Sequence, residues 1–322
     1  MNPSDTETYL LLVLADSNLP TGSFVASSGL ESYFKHSFDA QEGKRDAAVL
    51  AFVRDSLASY ARTALPFVAG AHRAVEGLAR GIALTSTSDL HFPTSHSHFH
   101  PDLASTLTTL ASLDALCEAT MLNHVARRAS RAQGVALLTL YAKGLAPPTN
   151  GELLGRALDQ YKLRVRREEA PGHLPVCWGA LTAALRLPLT RAVHLHLFLH
   201  ARGLLSAAVR LNALGPYAAQ QLLLHSVRPL VEGEAARWLE REEDKREAGP
   251  AKFDRDATIE GGAESEGRNK DDGEEAGGKH ASAADAALED ALDPITGPVN
   301  TWPLGEILAA RHDLQHSRIF NS

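Results

Sequence analysis

The stretch that most limits the fold is TRAVHLHLFLHARGLLSAAV, residues 190–209. Its first half, VHLHLFLH, alternates like a strand, but apolar character then runs on through Val209 without a turn signal. That continuation predicts a buried helix. Ala and Leu dominate the apolar residues; hydrophobic residues make up 44% of the 322-residue chain and aromatic ones 6%. This balance favours helices over a β-sandwich. The expected fold class is therefore all-α, in one large domain or two.

Other segments repeat the helical period. Val49, Phe52, Val53, Leu57 and Tyr60 define an amphipathic helix expected to end before Pro66. Pro66 would open a second helix carrying Val68, Ala71, Val75 and Leu78, with Gly81 as its stop. Residues 102–145 read as two helices or one broken helix. Pro147-Pro148 breaks the pattern, and Thr149 with Glu152 forms a capping box for LLGRALDQYKLR. Pro216 sits well for the first position of a helix, and Pro229 should kink or divide the helix that follows.

From Arg241 to Ala287 the composition turns charged and Gly-rich, with few large apolar groups. Such a segment cannot bury enough surface to offset its ordering entropy, so disorder is expected. The organisation read from the sequence is a helical domain at 1–240 with a His-rich loop at about 83–101. An acidic insertion and linker follow at 241–303, and a C-terminal docking helix and tail at 304–322.

Two terminal stretches stand out. In DSNLPTGSFVASSGLESYF, residues 16–34, Leu19-Pro20-Thr21-Gly22 predicts a type I turn. Ser23 can cap a following helix whose face, Ala26, Ser27, Ser28 and Gly29, is unusually small. Gly29 costs about 1 kcal/mol of helix propensity relative to Ala, so close packing is expected to repay it. Near the other end, Ile307, Leu308, Ala310 and Leu314 form an apolar helical face, with Arg311, Gln315 and Arg318 on another.

These stretches resemble the UreF family of urease accessory proteins. The first does so through Leu19, Pro20, Gly22, Phe24, Ser27, Gly29, Leu30 and Glu31; Ala26 departs from the frequent Tyr or His. The tail RHDLQHSRIF resembles the family's end motif, with Asp313 for Glu, His316 for Tyr and Ile319 for Leu. Between them the resemblance passes through Asp114, Arg131, Gly134, Gly172, His173, Gly179 and Ala180. It continues through Ser206, Ala207, Arg210, Leu211, Leu214, Gly215 and Gln220. It implies an all-α, single-domain helical bundle of the UreF type, a homodimer, and a complex with a UreD/UreH-type accessory protein. That complex recruits a UreG-type GTPase and engages apo-urease for nickel insertion. The resemblance places partner contacts at Leu19, Pro20, Gly22, Phe24, Ser27, Gly29 and Glu31, and at Arg311, His312, Gln315, Ser317, Arg318 and Phe320.

Other readings find less support. A net charge of −7 with no sizeable basic patch argues against a nucleic-acid role. Cys117 and Cys177 are isolated, which fits a reducing compartment. With no leader pattern and no run approaching the roughly 20 apolar residues of a span, the chain reads as cytosolic. There is no Walker A sequence and no G-x-S-x-G elbow, so neither catalytic residues nor a cofactor are expected. A rival reading, a histidine-based metal-binding protein or metal-dependent hydrolase, rests on His91, His96, His98 and His100 or on His196 and His200. The zincin pattern fails because Leu197 stands where Glu is needed. Arg127, Arg128 and Arg131 read as a solvated basic face, and His173 and Trp178 as core or loop residues.

Overall fold

The computed structural model describes residues 3–23, 26–36, 45–85, 102–146, 153–248, 288, 297–316 and 318–321. Every regular element among them is helical. In chain order these are α1 (Pro3–Leu14), α2 (Leu30–Lys35), α3 (Arg45–Thr85), α4 (Leu103–Thr120) and α5 (His124–Leu140). They continue with α6 (Leu153–Arg166), α7 (Leu174–Ala184), α8 (Leu189–Arg210), α9 (Pro216–Gln221), α10 (Arg228–Ala248) and α11 (Pro303–Ala310). The all-α architecture expected from composition and period is the one observed.

Helix α3 is the axis of the bundle, packed by α4, α6, α7, α8 and α10. The expected break at Pro66 does not occur, and Gly81 does not stop the helix, which runs on to Thr85. Burial overrides propensity here: Leu65, Phe67, Val68, Ala69 and Ala71 are all in the core, so breaking the helix would expose them. Helix α7 lies against α3 and α5 and is apolar all round, with every residue from Pro175 to Ala184 buried. Its approach to α3 is set by Gly179, where a Cβ would sit 2.2 Å from the Val68 carbonyl oxygen.

The ambiguous stretch is α8, a helix as expected. It is long and apolar enough to cross a membrane, but it lies in the core with contacts to α3, α7 and α10. His196 and His200, four residues apart, face α3. The Tyr60 hydroxyl meets His196 Nε2 at 2.9 Å, and the Ser56 hydroxyl meets His200 Nε2 at 3.0 Å. Tyr60 stacks on His200 with ring centres 3.9 Å apart. Burial lowers both imidazoles, His196 to about 3 and His200 to about 4.

The remaining helix ends follow local rules. Asp102 caps α4 by accepting the Ser105 N–H at 2.7 Å, and Asn123 caps α5 through the Val125 and Ala126 N–H groups. Pro216 opens α9, and a π turn at Leu222–Val227 separates α9 from α10 just before Pro229, the division expected there. Helix α10 runs past Arg241 to Ala248, beyond the point where composition turned charged. Val231, Ala235, Trp238 and Glu242 form one buried stripe on it, and Glu242 pairs with Arg73 of α3. The rest of the acidic insertion before residue 297, and the His-rich stretch 86–101, lie outside the described residues apart from residue 288.

Gly179→Ala should destabilise the protein by about 3 kcal/mol, the upper end for an overpacked core, read as a lower urea midpoint with an unchanged slope. The histidine pair sets a pH dependence. Both folded values lie below the unfolded value near 6.5, so this contribution is complete above about pH 6.5 and is lost as pH falls towards 4 and then 3. The limiting slope is about 1.4 kcal/mol per pH unit per histidine, with the larger share from His196 because His200 keeps some solvent contact. A His196→Gln variant should flatten the stability–pH curve between pH 6 and 4, measured by urea unfolding at each pH.

Candidate partner-docking site

The two terminal stretches meet. After α1, the Asp16 carboxylate accepts the Asn18 N–H at 2.9 Å, ending the helix with a side-chain turn. The turn at Pro20 is tighter than type I: the Thr21 N–H reaches the Leu19 carbonyl at 2.7 Å. Residues 26–29 do not form a helical face as the sequence implied. Ser28 and Gly29 are left-handed, with φ of 49° and 88°, and α2 begins only at Leu30. Without a Cβ, Gly29 accommodates both that φ and the close passage of α11, whose Ala309 nitrogen would lie 3.1 Å from an added Cβ. Close packing is indeed what the small residues serve, through a turn instead of a helix.

The first turn of α2 then receives the end of the chain. Glu31 is 1% exposed and accepts the Ile319 and Phe320 N–H groups at 2.9 and 3.3 Å, with Lys35 Nζ at 3.4 Å. Gln315 donates to the Ser32 hydroxyl. Phe320 is buried, with the Arg210 guanidinium 4.6 Å above its ring. The buried His312 reaches the Phe320 carbonyl through Nε2 at 3.1 Å, and burial outweighs nearby Glu31 in lowering its pKa. Asn123 uses one side-chain oxygen to cap α5 and its amide nitrogen to reach the Glu306 carbonyl at 3.0 Å.

Asp313 fastens the tail to α5. Arg128 meets both its oxygens at 3.0 and 3.1 Å, Arg318 adds a bond at 2.9 Å, and His124 lies at 3.2 Å. Arg128 above all holds this carboxyl down to about 2. Two open grooves flank Arg318. One, about 340 Å³, lies between Glu31, Lys35, Leu211 and Ile319; the other, about 550 Å³, lies beside Arg128, Asp313 and Asn321.

The apolar face expected on α11 is only partly the one that packs. Leu308 is buried, but Ile307 is 57% exposed on the opposite side of α11, and Leu314 is 74% exposed in the 3-10 turn at Arg311–Leu314 that follows. The buried line runs instead through Gly305, Leu308 and His312. Of the residues expected at partner contacts, Ser27, Gly29, Glu31, His312 and Phe320 are buried. Gln315, Leu19 and Gly22 are half-buried, while Pro20, Arg311 and Arg318 are exposed. Phe24 and Ser317 lie outside the described residues.

A second polar cluster was missed, although Asp114 and His173 both matched the family. Asp114 is fully buried and accepts the Gly172 and His173 N–H groups at 2.6 and 2.9 Å and the Tyr161 hydroxyl at 2.8 Å. The His173 ring bridges the Ser130 hydroxyl, 3.1 Å from Nδ1, and Glu118, 2.7 Å from Nε2. Glu118 also pairs with Arg127 and Arg131, so these arginines are not a merely solvated face. A serine, a histidine and a carboxylate in sequence invite comparison with acyl-transfer chemistry. Ser130 is, however, only 8% exposed, and its oxygen already accepts the Leu174 N–H at 3.1 Å. The arrangement pins the start of α7. Among the described residues no group of three or more His, Cys, Asp or Glu side chains could hold a metal. His196 and His200 are occupied by Tyr60 and Ser56.

The UreF family model matches residues 44–227. Urease accessory protein 6 of Cryptococcus neoformans var. grubii is 40% identical over a 354-residue alignment covering 100% of this chain and 99% of that protein. An uncharacterized UreF-like urease accessory protein of Schizosaccharomyces pombe is 33% identical, covering 70% of this chain and 80% of its own length. Urease accessory protein F of Arabidopsis thaliana is 27% identical, covering 71% and 78%. The chain belongs to the UreF family.

Glu31→Gln removes one acceptor and sets an amide N–H against a backbone N–H, at a cost of about 1–3 kcal/mol. Amide exchange at residues 318–321 should accelerate while α7 stays protected, as followed by hydrogen–deuterium exchange.

Proposed function

We propose that this chain is a non-enzymatic scaffold of urease maturation. With a UreD/UreH-type accessory protein it recruits a UreG-type GTPase to apo-urease, so that nickel, the cargo, is inserted into the active site. The observation that supports this best is the outer side of the docked tail. Leu304, Ile307, Leu314 and Ile319 are exposed there, beside the exposed Arg311 and Arg318. Apolar groups bordered by arginines match the composition of protein interfaces, where arginine is a frequent anchor.

The buried half of the same motif plays a different part. Gly29, Glu31, His312 and Phe320 hold the tail in place and so present its outer side, and Ser27 is buried in the turn before Gly29. Leu19, Pro20, Gly22 and Gln315 keep solvent access and can touch the partner directly. Phe24 and Ser317 are assigned contacts on the family resemblance alone. GTP hydrolysis belongs to the GTPase, and the scaffold acts by binding its loaded form more tightly than its spent form. The working unit is a homodimer in the cytoplasm.

Two substitutions test the tail surface. Ile307→Asp and Arg311→Ala should each weaken the complex with the UreD/UreH-type partner by about tenfold or more, as expected for interface anchors. Both should leave the thermal midpoint of the free protein within about 2 °C, because surface changes cost little. Light scattering after size exclusion reads the complex; equal binding by both variants would remove this surface from the interface.

A further inference from the structure

The central helix carries a defect of its own. Pro66 has no N–H, so the Arg62 carbonyl four residues earlier loses its helical donor, and the ring crowds that same oxygen. Thr63 adds to the weakness, since its hydroxyl bonds back to the Ser59 carbonyl at 3.0 Å, a pattern that bends helices. Helix α3 nevertheless continues without a break.

The missing donor comes from the C-terminal segment. The Val299 N–H meets the Arg62 carbonyl at 3.3 Å. Around that bond, the segment is fastened along one stripe of α3. Asn300 accepts the Ser59 hydroxyl at 3.3 Å and the Trp302 N–H at 2.7 Å. The Trp302 indole stands edge-on to Phe52 with ring centres 4.9 Å apart. Gly305 lets α11 begin directly against that indole, where a Cβ would come within 2.2 Å.

We propose that the C-terminal segment is a brace for the central helix, completing its hydrogen bonding at Pro66 while seated and loosening it there on release. Coupling of this kind is reciprocal: whatever draws the tail away softens α3, and whatever straightens α3 favours the seated tail. That a partner, by binding the outer side, favours the seated tail and with it a straight α3 rests on the proposed function; the brace itself does not.

Hydrogen–deuterium exchange on the full chain, with no partner present, tests the brace separately from the scaffold reading. Val299→Pro removes this donor at a position 39% exposed, where the ring meets solvent. Exchange at Phe67–Gly70 should quicken by about tenfold or more, while Val176–Leu181 in α7 keeps its protection. Pro66→Ala returns the helical donor to Arg62, so adding Val299→Pro to it should change the same amides less than about twofold. The brace is overturned if Val299→Pro leaves Phe67–Gly70 unchanged, if α7 loses protection equally, or if the double variant exchanges as fast as Val299→Pro alone.

Discussion

A carboxylate withdrawn from water needs hydrogen-bond donors, and Glu31 finds its own in the backbone of the last few residues of the chain. Backbone N–H groups have fixed directions, so accepting two in succession fixes the path of the tail as well as its presence. Phe320 is thereby placed under Arg210, at the end of α8, and His312 against the Phe320 carbonyl. One buried side chain near the start thus sets the geometry of the other end, and α11 can close down only because the residue before Leu30 is glycine.

Asp114 solves the same problem deeper inside. It collects two backbone N–H groups at the turn into α7, and His173 at that turn passes the connection through Ser130 and Glu118 to α5. Helix α5 begins with His124, Arg127, Arg128 and Arg131 near its positive end, an unfavourable placement in isolation. Glu118 from α4 and Asp313 from the tail offset it from two sides. The basic start of α5 therefore lies between the core network and the docked tail, and it is stable there because both supply carboxylates.

Periodicity revealed most of the fold because most helices bury one face, and α8 was legible despite its alternating start because its apolar run is too long for a strand. Prolines were less readable. Pro216 and Pro229 lie at a helix start and beside a π turn, where local rules hold, whereas Pro66 lies in a helix packed into the core, where the Arg62 carbonyl receives an N–H from residue 299. A donor 237 positions from the carbonyl it serves leaves no trace in a local pattern. The small residues before α2 announced close packing correctly but not its form, since a left-handed Ser28-Gly29 turn and a small-residue helix face share one composition. The two terminal motifs were each recognisable, but their union was not, because no period links Glu31 with Phe320.

That union changes how the motif residues are to be understood. In the tail, His312 and Phe320 point inward while Arg311 and Arg318 are exposed, so one short motif both seats the segment and displays a surface. On the proposed function, a change in the inward set would weaken assembly by releasing the tail, with no contact to a partner at all. A change in the outward set would weaken it with the tail still seated. Loss of the complex would therefore not by itself place a residue at an interface. Direction of the side chain separates the two cases, and by that measure the proposed contact side is Ile307, Arg311, Leu314 and Arg318, with Glu31 its anchor from behind.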